Sequence, residues 1–284
     1  MNVIKSRYKE ITLEHVKSYK TEVILQESHG ALMESFAKQG KVIELSGGRI
    51  CRVYRVNDDS NTRILKIAHG QYRSTELARE FQIMQHIMDS GHGYLIPSPA
   101  TFQVETNHAY LTAEYIPGES VRERLYKCSH GAARLDVWYK LGRVLSEIHK
   151  ILNQDHLATE WLEEQLISAR LNLDNGILDM EEFEEQTPEE LLMWLNANKS
   201  KSNPVSLLHG DYRTKNILID EQENYKVIDW GFWDIGDPYY DLAIIDYYFE
   251  SNADRESFYR GYGMYDYDKD LIEYYDRLSK FINV

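Results

Sequence analysis

The stretch His209-Gly210-Asp211-Tyr212-Arg213-Thr214-Lys215-Asn216 decides how the fold of this chain is interpreted. It follows the apolar run Val205-Ser206-Leu207-Leu208, so its polar residues are expected in a loop at the end of a strand. Asp229 comes thirteen residues after Asn216, in Ile228-Asp229-Trp230-Gly231, and also follows an apolar run. We therefore expect short strands to hold three polar side chains at a fixed spacing.

Asp211, Asn216 and Asp229 form the pattern that phosphoryl transfer from a nucleotide requires. Asp211 can accept a hydrogen bond from a substrate hydroxyl and direct that hydroxyl toward the γ-phosphorus. Asn216 and Asp229 offer a neutral and a charged oxygen to the magnesium ions that bridge the phosphates. Arg213 is a candidate catalytic cation, because its charge would offset the charge that builds on the transferred group. A solvated surface arginine is the alternative.

The chain resembles the aminoglycoside phosphotransferase and choline kinase-like family in three motifs: His209-Gly210-Asp211-x-x-x-x-Asn216, Ile228-Asp229-Trp230 and Gly236-Asp237-Pro238-x-x-Asp241-Leu242-Ala243. The resemblance extends roughly from Val42 to Gly263. It implies an α+β, bilobal protein-kinase-like fold and a bacterial small-molecule kinase that uses ATP, with GTP as the alternative, and Mg²⁺. It also implies that Asp211 is the catalytic base, that Asn216 and Asp229 bind the metal, and that His209 is a structural brace.

The order of predicted elements fits two lobes. The first forty residues are predicted to be mostly helical. Lys41 to Val56 and Thr62 to Ala68 are predicted to form two antiparallel strands, followed by a helix from Thr75 to Met88. A hairpin of Thr101 to Glu105 and Ala109 to Ile116 closes this strand-rich part. We predict an N-terminal nucleotide-binding lobe over residues 1–116, including the helical segment, and a mainly helical catalytic and substrate-binding lobe over 117–284.

Candidate nucleotide contacts lie in the N-terminal lobe. The segment Ser46-Gly47-Gly48 could bring its backbone close to phosphates, although a plain hairpin turn explains it equally. The resemblance makes Lys66 the ligand of the α- and β-phosphates, positioned by an acid on the next helix. Glu80 fits this role best, and Glu76, one turn earlier, is the competing choice. Extended backbone is expected to pair with the adenine edge at two positions, Glu114 and Ile116.

Charge and composition limit the partners. The formal net charge of −14 argues against nucleic acid or an anionic membrane as a partner. The first residues lack the apolar core of a signal peptide, and no apolar run approaches membrane-spanning length. With only two cysteines, Cys51 and Cys128, a disulfide framework is excluded. We predict a cytoplasmic protein with a small cationic substrate and no obligate protein partner.

The acceptor is predicted from an acidic stretch. Twelve carboxylates and a single arginine lie between Asp155 and Glu190. They are either solvated helix faces or a wall that concentrates a cationic substrate such as an aminoglycoside. The carboxylates predicted to contact substrate amines are Glu160, Glu163, Glu164, Asp234 and Asp237.

Other interpretations stay open for the substrate, and three further residues have structural roles to consider. An aromatic cage for choline could be built from Trp230, Trp233, Tyr239, Tyr240, Tyr247 and Tyr248. Homoserine, a protein side chain, or a catalytically silent nucleotide-binding scaffold are the remaining alternatives, although every position that the chemistry needs is filled. Asp237 and Asp241 are also expected to cap and brace the helix behind the catalytic loop, and His149 is expected to be a satisfied core histidine.

Overall fold

A computed structural model describes residues 40–45, 51–58, 61–105, 108–128, 130–152, 161–183, 186–199 and 205–282. The strands within these ranges are β1 Gly40–Leu45, β2 Cys51–Asp58, β3 Thr62–His69, β4 Pro99–Val104, β5 His108–Glu114, β6 Gly118–Ser120, β7 Ser206–Leu208, β8 Ile217–Asp220, β9 Tyr225–Val227 and β10 Asp234–Gly236. The helices are α1 Gln71–Ile87, α2 Val121–Lys127, α3 Ala132–His149, α4 Trp161–Asp174, α5 Pro188–Ala197, α6 Tyr239–Asp246, α7 Asn252–Tyr262 and α8 Lys269–Ile282. The predicted N-terminal helical segment lies outside the described residues.

The contacts divide the chain into two units. The first holds the described residues up to Gly118 together with Asp220–Phe232, and the second holds Glu119–Ile219 and Trp233–Val284. The predicted division at residue 116 left Asp220–Phe232 with the helical part. This segment groups with the first unit through two contacts. Strand β9 packs against the turn Gly93–Leu95, and the 3₁₀ turn Trp230–Phe232 packs against α1.

The first unit is built on a five-stranded antiparallel sheet in the order β1-β2-β3-β5-β4. The prediction of one strand from Lys41 to Val56 is wrong, because this stretch forms β1 and β2, which pair antiparallel with Val42 opposite Val56. The chain therefore reverses between the two strands. Apolar side chains on one face of the sheet form a buried cluster of Tyr54, Val56, Leu65, Ile67 and Tyr110.

Helix α1 packs on this sheet through residues at helical spacing. Leu77, Phe81 and Met84 are buried, and the Phe81 ring stacks on Phe102 of β4 with 5.4 Å between ring centroids. The helix begins at Gln71, four residues before the predicted start at Thr75, and ends at Ile87, one residue before the predicted end. Its buried face fixes the direction of Glu80, which lies one residue before Phe81.

The second unit is mainly helical, as the sequence predicts. Helices α3 and α7 approach so closely that a Cβ atom on Gly142 would lie 2.0 Å from the Phe258 carbonyl oxygen. Helix α8 packs against α6 and α4. Strands β7 and β10 form a two-stranded antiparallel pair, with Leu208 opposite Asp234. Among the described residues, no helix is long and apolar enough to cross a membrane.

Candidate active site

Lys66 forms the centre of a charged group in the first unit. Its Nζ lies 2.7 Å from Oε1 of Glu80 on α1 and 2.5 Å from Oδ1 of Asp229, which follows β9. The Lys66 and Glu80 side chains are largely buried, whereas the Asp229 side chain is 50% exposed. Of the two acids that the sequence left open, the structure pairs Glu80 with Lys66, and Glu76 hydrogen-bonds Tyr72 instead.

Electrostatics keep Lys66 charged. Burial alone would lower the pKa of the Lys66 ammonium, but the neighbouring carboxylates of Asp229 and Glu80 outweigh burial and raise this pKa above its ordinary value. Asp229 itself has a φ of 63°, in the left-handed region that non-glycine residues rarely adopt. Such backbone strain persists only where the surroundings enforce it, and it is concentrated at functional sites. The buried Trp230 indole, next in the chain, donates to the Val227 carbonyl at 3.0 Å, so the turn that carries Asp229 is closed by a hydrogen bond.

The loop that presents Asp211 is held from behind by Asp241 of α6. Oδ2 of Asp241 accepts the His209 N–H at 2.7 Å, and Oδ1 accepts the Gly210 N–H at 2.9 Å. Gly210 has a φ of 80°, which suits a residue without a Cβ atom. The His209 ring is fully buried and accepts the Asp211 N–H through Nδ1 at 3.2 Å. These contacts agree with the expectation that His209 braces the loop.

A second layer of hydrogen bonds holds Asp241. His149 places Nε2 3.2 Å from Oδ2 of Asp241 and Nδ1 2.7 Å from the Tyr262 hydroxyl. If His149 donates through Nε2 to the carboxylate, its Nδ1 accepts the Tyr262 proton, so both ring nitrogens are satisfied. The expectation of a satisfied core histidine is confirmed. Asp241 thus connects the helix bundle of the second unit to the loop backbone.

Asn216 and Arg213 both contact Asp211. Asn216 donates from Nδ2 to the Asp211 carbonyl at 2.9 Å and to Oδ2 at 2.8 Å. This orientation leaves the amide oxygen of Asn216 as the atom that can bind a cation. Arg213 forms an ion pair with Asp211 through Nε. Burial raises the pKa of Tyr248, which the sequence offered only for an aromatic cage, and the charges of Arg213 and Asp211 also act on it.

Two side chains have the chemistry that a hard cation needs, each within its own unit. The amide oxygen of Asn216 in the second unit and the carboxylate of Asp229 in the first unit are the kind of oxygen that Mg²⁺ prefers. Within the described ranges, no group of three His, Cys, Asp or Glu side chains is arranged to hold a metal ion. The assignment of Asn216 and Asp229 to Mg²⁺ stays a prediction.

Glu114 and Ile116, the predicted adenine contacts, lie at and just beyond the end of β5. The Glu114 N–H donates to the Ser98 carbonyl at 2.9 Å, and the Glu114 carboxylate accepts the Ser98 N–H at 3.1 Å. The Glu114 N–H is thus used within the first unit, and the pairing of the Glu114 and Ile116 backbones with adenine stays a prediction. Ile116 lies just beyond β5 with a buried side chain. The predicted phosphate flap Ser46-Gly47-Gly48 lies outside the described residues.

Two of the predicted substrate carboxylates are already engaged within the second unit. Asp237 is only 5% exposed, and its oxygens accept the Tyr239 N–H at 2.9 Å and the Tyr275 hydroxyl at 2.9 Å. Burial raises the pKa of Asp237 to about 6. The prediction that Asp237 contacts a substrate amine is wrong, and this residue caps α6 instead. Glu163 forms an ion pair with Lys199 at 2.7 Å, which neutralises its charge.

Other predicted substrate carboxylates remain accessible. Asp234 is the first residue of β10 and pairs with Leu208, the residue that precedes the catalytic loop. Its carboxylate accepts the Ile235 N–H at 2.9 Å. Gln165 of α4 reaches the same carboxylate at 3.5 Å. Glu164 is half-buried on α4, and Glu160 lies outside the described residues.

Three of the six aromatic residues considered for a choline cage are core residues. Trp230, Trp233 and Tyr240 are buried, so a cage that is open to solvent would have to be built from the other three. Tyr247, by contrast, is 79% exposed, and its ring meets that of Tyr248 at 5.4 Å.

Comparisons with known proteins agree with this site. The family described as "Phosphotransferase enzyme family" matches residues 41–278. An aminoglycoside 3'-phosphotransferase from Streptomyces fradiae is 25% identical over 203 residues, which cover 67% of this chain and 74% of that protein. The crystal structure of an aminoglycoside-3'-phosphotransferase of type VIII has a TM-score of 0.69 at 19% identity, covering 89% of this chain and 98% of that one.

A choline kinase from Streptococcus pneumoniae has a TM-score of 0.63 at 18% identity, covering 88% of this chain and 85% of that one. At such identities the structural likeness establishes the fold alone, which is the predicted α+β protein-kinase-like fold. The family match, in contrast, spans most of the sequence and includes every motif described above. The chain belongs to the phosphotransferase enzyme family and is a small-molecule kinase.

Proposed function

We propose that the protein transfers the γ-phosphate of ATP to a hydroxyl of a small cationic acceptor, an aminoglycoside-type antibiotic. The observation that carries this proposal is the geometry of Asp211. Its carboxylate is oriented by Asn216, and the backbone of its loop is fixed by His209 and Asp241. A carboxylate fixed at the end of a strand is suited to orient a hydroxyl for attack.

Asp211 would accept the proton of the attacking hydroxyl. The acceptor oxygen bonds to the γ-phosphorus, the bond from that phosphorus to the β–γ bridging oxygen breaks, and ADP leaves. Asn216 and Asp229 are the residues that would hold Mg²⁺, which neutralises phosphate charge when bound. Lys66 would contact the α- and β-phosphates, and Arg213 would offset charge on the transferred group.

Relatives and charge favour an aminoglycoside as acceptor. Several relatives are aminoglycoside 3'-phosphotransferases, and a spectinomycin phosphotransferase of this fold was solved with ADP and spectinomycin. The net charge of −14 suits a polycationic acceptor. Asp234 is the best placed of the predicted amine contacts, because it lies opposite the residue that precedes the catalytic loop.

A choline-type metabolite is the second candidate. The exposed ring of Tyr247, beside Tyr248, favours it, because a quaternary ammonium group binds aromatic faces. We place either reaction in the cytoplasm, where ATP is available and the free thiols of Cys51 and Cys128 persist.

The proposal is tested by measuring ADP release across aminoglycosides, choline, amino alcohols and sugars. D211N should lower turnover about 10²- to 10⁴-fold, the usual contribution of a general base, while ATP affinity changes less than about twofold. D229A should weaken the binding of Mg·ATP itself. D266N, an exposed surface change in the second unit, is the matched control and should behave as wild type. Full turnover in D211N would remove Asp211 as base, and no ADP release with any acceptor would refute the proposed reaction.

A further inference from the structure

Arg55 of β2 and Lys66 of β3 lie on the same face of the five-stranded sheet. Each lies between two residues of the buried apolar cluster, so its own side chain projects from the opposite face. In the pairing of β2 with β3, Arg55 is opposite Ile64, and Lys66 is opposite Val53. The two cations are therefore two residues apart along this face, which corresponds to about 7 Å.

Arg55 lies at the end of this face that leads to the linker (residues 114–116). Arg63 of β3 pairs with Glu114, the last residue of β5. A line along β3 from Lys66 to Arg63 therefore runs toward the linker. Because the phosphates are assigned to Lys66 and the base to the linker backbone, a nucleotide on this face would have its base at the Arg55 end.

The Arg55 guanidinium contacts the side chain of Tyr115, the middle residue of the linker. Its Nη1 donates to the Tyr115 hydroxyl at 3.5 Å, and its Cζ lies 5.4 Å from the centre of the Tyr115 ring, within the range of a cation–π contact. Strand β3 lies between β2 and β5 in the sheet, so the contact bridges two strand spacings, about 10 Å. A long side chain is needed for this distance, and arginine also offers a rigid plane of donors. The pair thus ties the linker to β2.

Glu114, the neighbour of Tyr115, is held by a different element. Its N–H donates to the Ser98 carbonyl at 2.9 Å, and its carboxylate accepts the Ser98 N–H at 3.1 Å. Two successive residues of the linker are therefore anchored within the first unit. A segment that is ordered before its ligand arrives loses less conformational entropy on binding, so each anchor contributes to the affinity for a ligand of the linker backbone.

We propose that Arg55 and Tyr115 form a clamp that holds the linker in the conformation in which it pairs with the nucleotide base, with Arg55 as the positioning residue. The inference rests on the proposed function, since it concerns the nucleotide of that reaction. The clamp acts at the base end of the face and Lys66 at the phosphate end, so the two contribute to separate parts of the ligand. Loss of the clamp should therefore weaken the binding of a nucleotide and spare the binding of inorganic tripolyphosphate, which has no base.

Calorimetric binding of Mg·ATP and of Mg·tripolyphosphate tests the clamp. R55M removes the guanidinium, and the matched control R52M removes an exposed arginine from the other face of the same strand. We expect R55M to weaken ATP binding about tenfold and tripolyphosphate binding less than about twofold, and R52M to change neither. An ionic strength of about 0.15 M limits the long-range effect of the lost charge. Equal losses for the two ligands would show that Arg55 acts on the phosphates, and an unchanged ATP affinity would show that the clamp has no role; either result overturns the inference.

A double-mutant cycle separates the clamp from a direct contact of Arg55 with the base. Y115L removes the ring and the hydroxyl and should weaken ATP binding by a factor similar to that of R55M. In the Y115L background R55M should add a loss of less than about twofold, and independent losses that multiply would overturn the inference. Y115F removes the hydroxyl alone, should cost about threefold, and replaces Y115L in the cycle if urea unfolding shows that Y115L does not fold. If ATP binding follows this pattern and no acceptor is phosphorylated, the proposed reaction fails while the clamp stands.

Discussion

Replacing Asp241 by asparagine tests whether the catalytic loop is held by a buried acceptor. The Asp241 carboxylate is fully buried and is contacted by three groups: the N–H of His209, the N–H of Gly210 and Nε2 of His149. An asparagine has nearly the same shape but only one acceptor oxygen. Whichever way the new amide is oriented, one of the two backbone N–H groups faces an NH₂ group.

These contacts determine how much unfolding free energy D241N loses. A buried N–H that loses its acceptor costs about 1–3 kcal/mol. The backbone contact that remains changes from a charge-assisted to a neutral hydrogen bond, which is about half as strong. We therefore expect D241N to lose about 3 kcal/mol of unfolding free energy. Because domains of ordinary stability have about 5–15 kcal/mol available, the variant should still fold, but with a displaced loop.

The assay compares D241N with D254N. Asp254 is equally buried in the second unit but pairs with Arg134, at 3.0 Å, and none of its hydrogen bonds within the described residues reaches the catalytic loop. Urea unfolding should show a loss of stability in both variants. At a temperature where both are folded, turnover should fall at least about tenfold in D241N and stay near wild type in D254N. Equal turnover in the two variants would show that Asp241 contributes only stability.

Two further predictions concern buried positions of the second unit. Burial raises the pKa of Asp237 from 3.8 to about 6. Between these two values the unfolded state gives up its proton and the native state keeps it, so the native state loses stability as the pH rises from about 4 to about 6. A shift of two pKa units corresponds to a loss of about 3 kcal/mol. The unfolding free energy of D237N relative to wild type should rise by that amount over this range, and a constant difference would contradict the assignment. G142A should destabilise by about 3 kcal/mol or more, because its Cβ would lie 2.0 Å from the Phe258 carbonyl and force α3 and α7 apart. An unchanged urea midpoint would show that the helices adjust freely.

The sequence could predict the parts of the site that depend on local spacing. Asp211, Asn216 and Asp229 each follow or begin a short apolar strand, and the structure places them there. The choice between Glu76 and Glu80 could not be predicted, because the two lie one turn apart on the same helix. Only the packing of α1 on the sheet decides which of them reaches Lys66.

Burial explains the errors among the substrate predictions. Asp237 belongs to an acidic motif, and its formal charge made it a candidate amine contact. Whether a carboxylate is exposed or caps a helix depends on distant residues, and here Tyr275 of α8 covers it.

The pairing of charges within each unit has a consequence for nucleotide binding. Each cation assigned to phosphate is held by a carboxylate: Lys66 by Glu80 and Asp229, and Arg213 by Asp211. Because phosphate and carboxylate oxygens repel each other, we expect a phosphate that binds one of these cations to displace one of its carboxylates. Around Lys66 the exchange should involve Asp229, whose side chain is 50% exposed, and not Glu80, at 7%, because an exposed carboxylate that loses its partner is resolvated by water. Glu80 would then keep Lys66 in place while Asp229 is released to bind Mg²⁺.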